Sequence, residues 1–483
     1  VTERTEVAVL GAGFGGLAMA HALAEVGISD LVIFERNEGV GGTWLANSYP
    51  GAACDVPSHL YSLSYAPNPD WSRTYAGQVE ILAYIEDCYE RFGAIDKVRT
   101  STTIVAARWQ EEDRCWRLTD QQGRCYEAAF LVSAIGLFHT PSMPDIAGMD
   151  EFAGASFHSA RWDHAENVAG RRVAVVGTGA SAIQIVPAIA DEAAQVVLFQ
   201  RTPPWIVPRR DQPFTDEQRR TFAAEPEVAR RLRDETHLLF ESNLSFLRGD
   251  PSADFLSQMA SDHLDRKVAD PVLRDRLRPD YPVGCKRTLV SSAFYPAMQR
   301  DDVELVTEPI ERITPDGIRT TDGREWPCDI IVWSTGFRAS EYLRGIEIRG
   351  RAQKDLQERW AGVPRAYHGM AVPGFPNFFM LYGPNTNQGG NSILLMLEAQ
   401  ASFVAGVLSA AAADGVRTVE VTESALASYT AALLDRMDDT VWAEGCDSYF
   451  RAASGDVVTQ IPHTSTWYRE RLEQADPDDF IRR

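Results

Sequence analysis

Val7-Ala8-Val9-Leu10-Gly11-Ala12-Gly13-Phe14-Gly15-Gly16 is an apolar strand running into a glycine turn; helix-compatible residues Leu17 to Val26 and a second apolar run, Leu31 to Phe34, follow. The pattern returns at Arg172-Val173-Ala174-Val175-Val176-Gly177-Thr178-Gly179-Ala180-Ser181-Ala182, with a helical stretch to Ala190 and the run Val196 to Phe199. Each copy reads strand, glycine turn, helix, strand. In such a βαβ unit, bare glycine backbone and the free N–H groups of the helix N-terminus receive a pyrophosphate. A single glycine motif is weak, because any tight strand-to-helix turn produces one. Two copies in the same context predict an α/β protein with two Rossmann-like dinucleotide-binding domains.

The difference between the copies assigns the ligands. Gly11 to Glu35 and Gly177 to Arg201 both span 24 residues. At the end of the second strand an acid accepts hydrogen bonds from ribose hydroxyls, so Glu35 suits the unmodified adenosine of FAD. An arginine there pairs with a 2′-phosphate, so Arg201 suits NADPH. Gly11, Gly13, Gly16 and Glu35 are thus the first candidate FAD contacts. Gly177, Gly179, Ser181, Arg201 and Thr202 are the NADPH counterparts.

Two more apolar runs end in a small residue and glycine, Ala129 to Gly136 and Asp329 to Gly336, which permits close backbone approach to a cofactor. The polar turn Asn385-Thr386-Asn387-Gln388-Gly389-Gly390 precedes a helical pattern from near Ser392 to Gly415 and makes Asn385 a further cofactor candidate. Between Pro208 and Pro282 the sequence becomes charged and helix-favouring, as at Glu225 to Leu247 and Pro271 to Leu277. This reads as a helical insertion, either shaping a substrate entrance or serving as a packing appendage. Its apolar residues Leu238, Leu239, Phe240 and Phe246 are expected to face a core. The domain expectation is FAD-binding for 1–145 and 329–483, NADP-binding for 146–207 and 283–328, and the insertion for 208–282.

The 483 residues suffice for about three domains. A formal charge of −21 argues against nucleic acid or an anionic membrane as partner, since phosphate footprints need clustered Lys and Arg. Only Lys97, Lys267, Lys286 and Lys354 are lysines. Seven cysteines without a CxxC disfavour a disulfide framework, a redox dithiol and a zinc site, and no metal is expected. No run of 18 purely apolar residues and no signal-peptide layout is found, so a soluble, cytoplasmic protein of a reducing compartment is the expectation.

Between the two βαβ units, Phe152, Gly154, His158, Trp162 and Asp163 fit the pattern FxGxxxHxxxW(P/D). This resembles the fingerprint of type I Baeyer–Villiger monooxygenases, class B flavoprotein monooxygenases. Gly41-Gly42-Thr43-Trp44 and Tyr49 to Asp55 look like that family's flavin-side loops, adding Gly42, Thr43, Trp44 and Asp55 as cofactor contacts. Gln200-Arg201-Thr202-Pro203 resembles its NADPH-phosphate loop, and Gly284-Cys285-Lys286-Arg287 its active-site arginine segment. The matches run from residue 7 to about 450. One departure stands out: Tyr449, in Cys446-Asp447-Ser448-Tyr449, occupies a position where the family often has tryptophan.

The resemblance implies that NADPH reduces FAD, O₂ adds at flavin C4a, and the resulting peroxide attacks a ketone to give an ester or lactone. An anionic peroxide needs a permanent cation, and arginine keeps its proton at working pH. By resemblance the catalytic cation is Arg287, with Asp55 orienting it. Lys286 and Arg201 would hold the 2′-phosphate, and His158 and Trp162 would couple the two cofactor domains. The nearest alternative is an N- or S-oxygenating flavin-containing monooxygenase, which usually carries Tyr where Trp162 stands. A pyridine nucleotide–disulfide reductase would need the missing dithiol. A non-catalytic FAD scaffold is the remaining reading. The ketone, its regiochemistry and the oligomeric state are not legible in the sequence.

Overall fold

The computed structural model describes residues 3–483. Around the first glycine motif, strand Glu3–Leu10 lies parallel between Leu31–Phe34 and Cys125–Ser133, with Val7 opposite both Leu31 and Phe130. Val98–Arg99 extends the sheet beyond Leu31–Phe34, and Phe378–Met380 pairs parallel with Cys125–Ser133. The central strand has no hydrophobic alternation at Val7 to Leu10 because both of its faces are covered. Helices Phe14–Glu25 and Ile393–Ala413 pack together on one side, and Trp109, Trp116 and Phe378 fill the other.

By length and composition, helix Ile393–Ala413 could cross a membrane. It lies instead against Phe14–Glu25 and Ser465–Glu473, with Leu394, Met396, Val404 and Leu408 buried. Two of its polar residues tie it to the rest of the protein. Glu398 accepts from the Ser64 N–H and hydroxyl, and Gln400 joins the Tyr382 N–H to the Tyr468 hydroxyl.

The second glycine motif sits in a separate five-stranded parallel sheet. Its order is Val303–Val306, Gln195–Phe199, Arg172–Val176, Ile330–Trp333, Ala155–His158. This moves one expected boundary. Ile330–Trp333, expected in the FAD unit, is paired on both edges within the second sheet and buried throughout. The chain returns to the first unit only past Gly336. There the two crossings bind each other: Ser142 N–H donates to the Gly336 carbonyl at 2.9 Å, Thr335 hydroxyl to the Ser142 carbonyl at 2.6 Å, and Arg338 N–H to the Thr140 carbonyl at 3.0 Å.

The insertion is helical, with helices Asp216–Ala224, Pro226–Glu241, Pro251–Lys267 and Pro271–Arg276. Leu264, Val268 and Leu277 join the second unit's core, whereas Pro226–Glu241 docks on the first unit. Its docking face is polar. Arg233 donates to the carbonyls of His59, Leu60 and Ser62 at 3.0, 3.0 and 2.7 Å, and Glu241 accepts from Ser465 N–H at 3.0 Å and Thr466 N–H at 3.1 Å. Arg233, His237, Phe240 and Glu241 share one face at helical spacing, so Leu238 and Leu239 point away and are 66% and 68% exposed. The expectation that these two leucines face a core is therefore wrong, because charge rather than apolar surface holds this helix down. Phe240 does pack against the first core, and Phe246 stacks on Trp442 at 5.0 Å.

A second correction concerns the cysteines. Cys285 and Cys446 form a disulfide with Cα atoms 5.5 Å apart, so the odd count without a CxxC conceals one bridge between distant segments. Cys54, Cys88, Cys115, Cys125 and Cys328 are free.

The exposure of the two leucines has a measurable consequence. Leu238→Ser and Leu239→Ser are each expected to change stability by less than about 0.5 kcal/mol, the usual range for surface sites. Arg233→Ala, which strands three carbonyls, is expected to lower the melting temperature in the same thermal scans.

Candidate active site

Both glycine turns are built by the same close approach. Gly11, at φ +103°, lies where a Cβ would come within 2.8 Å of the Ala134 carbonyl oxygen. Gly177, at φ +106°, would place one 2.4 Å from that of Ser334. No side chain fits either position, and the conformation itself is one that L-residues avoid. The small-residue strand ends at 134 and 334 thus press on the first glycine of each motif. Gly16 packs against the Gly11 carbonyl, and Gly13 against Gly42.

A cavity opens beside the first turn. It is lined by Gly11, Gly13, Glu35, Gly42, Thr43 and Trp44, with Ala134 to Thr140 and Leu343 to Ile346 closing other sides. Helix Phe14–Glu25 carries no acid in its own first turn, which favours an anion at its N-terminus. Glu35 is nearly buried, and its carboxylate accepts from Ala12 N–H at 2.8 Å, Asn37 N–H at 2.8 Å and Asn37 Nδ2 at 2.7 Å. Those three donors fix the acid while leaving it acceptor capacity for ribose hydroxyls. Trp44 Nε1–H donates to the Tyr61 hydroxyl at 3.1 Å, and both side chains line the cavity. The residues present fit a flavin dinucleotide.

Asn385 has a different place. It is 1% exposed; Arg365 donates to its Oδ1 at 3.2 Å, and its Nδ2 donates to the Val457 and Gln460 carbonyls, both at 3.0 Å. Its side chain braces the loop: both amide hydrogens are spent on loop carbonyls, and only Oδ1, which already accepts from Arg365, keeps acceptor capacity for the cofactor contact expected of it.

The second turn faces solvent, with Gly179 open and Ser181 leading into helix Ala182–Ile189. Thr178 hydroxyl donates to the Thr202 carbonyl at 2.8 Å, tying the turn to the Arg201–Thr202 loop. Lys286 is half-buried with its ammonium 5.0 Å from the Tyr281 ring centroid. Burial lowers its pKa, the Arg201 charge lowers it further, and Asp447 opposes the fall. Among the described residues, neither Arg201 nor Lys286 has a carboxylate within ion-pairing distance. Two cations that repel each other beside a glycine turn fit a phosphate.

Arg287 and Asp55 meet across the two units. Arg287 Nη2 lies 2.8 and 2.9 Å from the carboxylate oxygens, and Nε 3.2 Å from Oδ2. The Asp55 charge raises the guanidinium pKa above its ordinary value despite burial, with Tyr449 contributing. Asp55 is placed by the loop before it. Gly51 sits so close to helix Ala182–Ile189 that a Cβ would come within 2.7 Å of the Gln184 carbonyl. Gln184 accepts from the Tyr49 hydroxyl at 2.9 Å and donates to the Ala53 carbonyl at 3.0 Å. Gln184 and Tyr61 are site residues that sequence reading missed, because neither lies in a glycine or charge pattern.

Of the fingerprint residues, His158 holds the hinge. Ala160 N–H donates to His158 Nδ1 at 3.1 Å, so His158 Nε2 carries the proton and donates to the Gly336 carbonyl at 3.0 Å. Burial lowers the His158 pKa, which keeps the ring neutral. Phe337, next in the crossing, packs on Phe138 at 5.6 Å and on His158 at 5.6 Å. Phe152 and Gly154 pack together by the Asp329 carbonyl, Trp162 packs on Phe157 at 5.1 Å, and Asp163 accepts from Ala165 N–H at 2.9 Å in an exposed turn. Tyr449 lies against Phe138 at 5.9 Å and Phe450 at 4.7 Å.

Two dinucleotide sites with a fixed cation between them define a flavoprotein of the monooxygenase class. Residues 4–215 match the family model described as flavin-binding monooxygenase-like. A Baeyer–Villiger monooxygenase of Pseudomonas aeruginosa is 40% identical, covering 98% of this chain and 91% of that protein. Cyclohexanone monooxygenase from Rhodococcus sp. Phi1 bound to NADP⁺ superposes with a TM-score of 0.90 at 29% identity, covering 100% of both chains. The OTEMO complex with FAD and NADP gives a TM-score of 0.89 at 30% identity, again over 100% of both. The chain belongs to the Baeyer–Villiger monooxygenase family.

Removing the orienting carboxylate tests the inter-unit pair. Asp55→Ala is expected to cost about 1–3 kcal/mol, the range for losing hydrogen bonds to a charged group, read by urea unfolding. Asp55→Asn, which keeps an acceptor oxygen, is expected to lose less.

Proposed function

We propose that this protein is an NADPH- and O₂-dependent FAD monooxygenase that inserts oxygen beside a ketone carbonyl to give an ester or lactone. The observation that carries the reading is Arg287, a bidentately paired guanidinium that follows Lys286 in the chain and lies near Tyr382, a residue lining the flavin-type cavity. When bound, FAD would supply the redox chemistry that links NADPH, O₂ and the ketone. Gly11, Gly13 and the N-terminus of helix Phe14–Glu25 would bind its pyrophosphate, and Glu35 would accept from its ribose.

The chain's task at the reacting atoms is electrostatic. Arg287 keeps its charge at working pH and stabilises negative charge as it develops near the flavin. Asp55 fixes the guanidinium's direction. Arg201 and Lys286 hold the 2′-phosphate, and Gly177 and Gly179 admit the NADPH pyrophosphate. His158, neutral and bound to Gly336, positions the hinge between the units. Family membership favours ketone over N- or S-oxygenation, and the proposal places the enzyme in the cytoplasm, where NADPH is supplied.

Three outcomes are expected. Arg287→Ala lowers kcat for ketone-to-ester conversion by about 10²–10³-fold, as when one charge-stabilising donor is removed, with flavin binding retained; ordinary turnover in a mass-spectrometric ketone assay would refute its role. Arg201→Ala raises KM for NADPH by about 10–100-fold, in keeping with a lost charge-assisted bond, and leaves NADH almost unchanged. An equal effect on both nucleotides would remove the phosphate assignment. Lys286, its pKa depressed, loses its charge at a lower pH than an ordinary lysine. NADP⁺ affinity is therefore fully present while Lys286 is protonated and falls as pH rises through that lowered value; Lys286→Arg is expected to flatten the dependence.

A further inference from the structure

The Cys285–Cys446 disulfide joins two segments 161 positions apart at the point where they flank the proposed cations. Cys285 immediately precedes Lys286 and Arg287. Cys446 precedes Asp447, whose charge acts on Lys286, and lies three residues before Tyr449, whose phenol acts on Arg287. The bridge thus fixes the C-terminal loop over these cations.

Apart from that bond, the loop is held by a small apolar cluster in which Val441, Trp442 and Phe450 are buried, by the Arg248–Glu444 ion pair at 3.6 Å, and by a few hydrogen bonds. Trp442 Nε1–H donates to the Gly284 carbonyl at 2.8 Å, Val441 N–H donates to the Phe246 carbonyl at 2.9 Å, and Phe246 stacks on Trp442. Its regular structure is one short 3₁₀ turn, Val441–Glu444. Ala443, Glu444, Gly445 and Asp447 are exposed on either side of buried Cys446. Segments with few internal bonds and exposed backbone open at the low-energy end of a protein's range. The five remaining cysteines are unpaired, and Cys125 is exposed. A chain that leaves an exposed thiol free and bridges two buried ones is not a disulfide scaffold, and isolated bridges in reducing compartments are commonly redox-responsive.

We propose that Cys285 and Cys446 form a reversible thiol–disulfide site that sets how fast NADP⁺ leaves the enzyme. The inference rests on the reading of Lys286 and Arg201 as the phosphate site. In the reducing direction a dithiol gives two electrons and two protons: the S–S bond breaks, two protein thiols form, and the reductant becomes a cyclic disulfide. In the oxidising direction hydrogen peroxide takes two electrons and two protons from the thiols and becomes two waters. Oxidised, the loop cannot lift without moving Lys286. Reduced, it opens against non-covalent contacts alone: hydrogen bonds, the Arg248–Glu444 ion pair and the packing of Val441, Trp442 and Phe450.

The test uses the FAD-containing enzyme with NADP⁺ bound, oxidised by peroxide or reduced by dithiothreitol. Alkylation after denaturation, read by mass spectrometry, is expected to label five cysteines in the oxidised form and all seven in the reduced form. Reduction is expected to speed NADP⁺ dissociation about tenfold in stopped-flow displacement, the scale for losing pre-ordering of a contacting loop. Hydrogen exchange should rise at residues 438–451. Cys446→Ser should show the fast rate and ignore dithiothreitol. Seven labelled cysteines in the oxidised sample would overturn the proposal, as would unchanged dissociation and hydrogen exchange on reduction. If thiol count and loop exchange respond while Arg201→Ala binds NADP⁺ normally, the phosphate assignment fails and the claim about NADP⁺ release falls with it, leaving a thiol site that controls the loop alone.

Discussion

The bidentate contact between Asp55 and Arg287 is the interaction on which the rest of the site depends, because its two halves come from different units. A guanidinium placed between two anionic ligands is useful only if its direction is set, and a carboxylate held on both oxygens sets it. That demand reaches back into the packing. Gly51 must lack a side chain so that its loop can seat on Gln184, and Gln184 must bridge to Tyr49 and Ala53. The ion pair is thus the end of a chain of close contacts across the interface.

The hinge between the units obeys a related constraint. The chain crosses twice, near residues 139–142 and 335–338, and the two crossings hydrogen-bond to each other. His158 adds a third partner by donating to the Gly336 carbonyl. A neutral, fully bonded histidine at this point is a mechanical element, which explains why the fingerprint lies between the two nucleotide sites and outside both cavities.

Charge is distributed according to the same logic. The protein carries −21 overall, and its ion pairs among the described residues are made by arginine. Among the described residues Arg201 and Lys286 have no carboxylate within ion-pairing distance, as the proposed phosphate site requires, while Arg233 and Glu241 are spent fastening one helix of the insertion. That use of charge defeated the pattern reading at Leu238 and Leu239. Apolar residues on a helix normally mark the buried face, but here the carbonyls at 59, 60 and 62 and the start of helix Ser465–Glu473 offered a polar landing site.

What the sequence by itself determined is local in the chain. The two glycine motifs, the 24-residue spacing to Glu35 and to Arg201, and the fingerprint at 152–163 each lie within one contiguous segment, where strand and helix periods dictate which residues meet. Only the tertiary structure decided what depends on distant segments meeting. The Asp55–Arg287 pair, 232 positions apart, was expected from family resemblance alone, and its geometry came with the fold. The Cys285–Cys446 bridge, the place of Ile330–Trp333 in the second sheet and the inward turn of the Asn385 side chain left no periodic trace in the sequence. Spacing along a chain constrains neighbours a few turns away, whereas contacts closed over hundreds of residues are chosen by the packing of whole units.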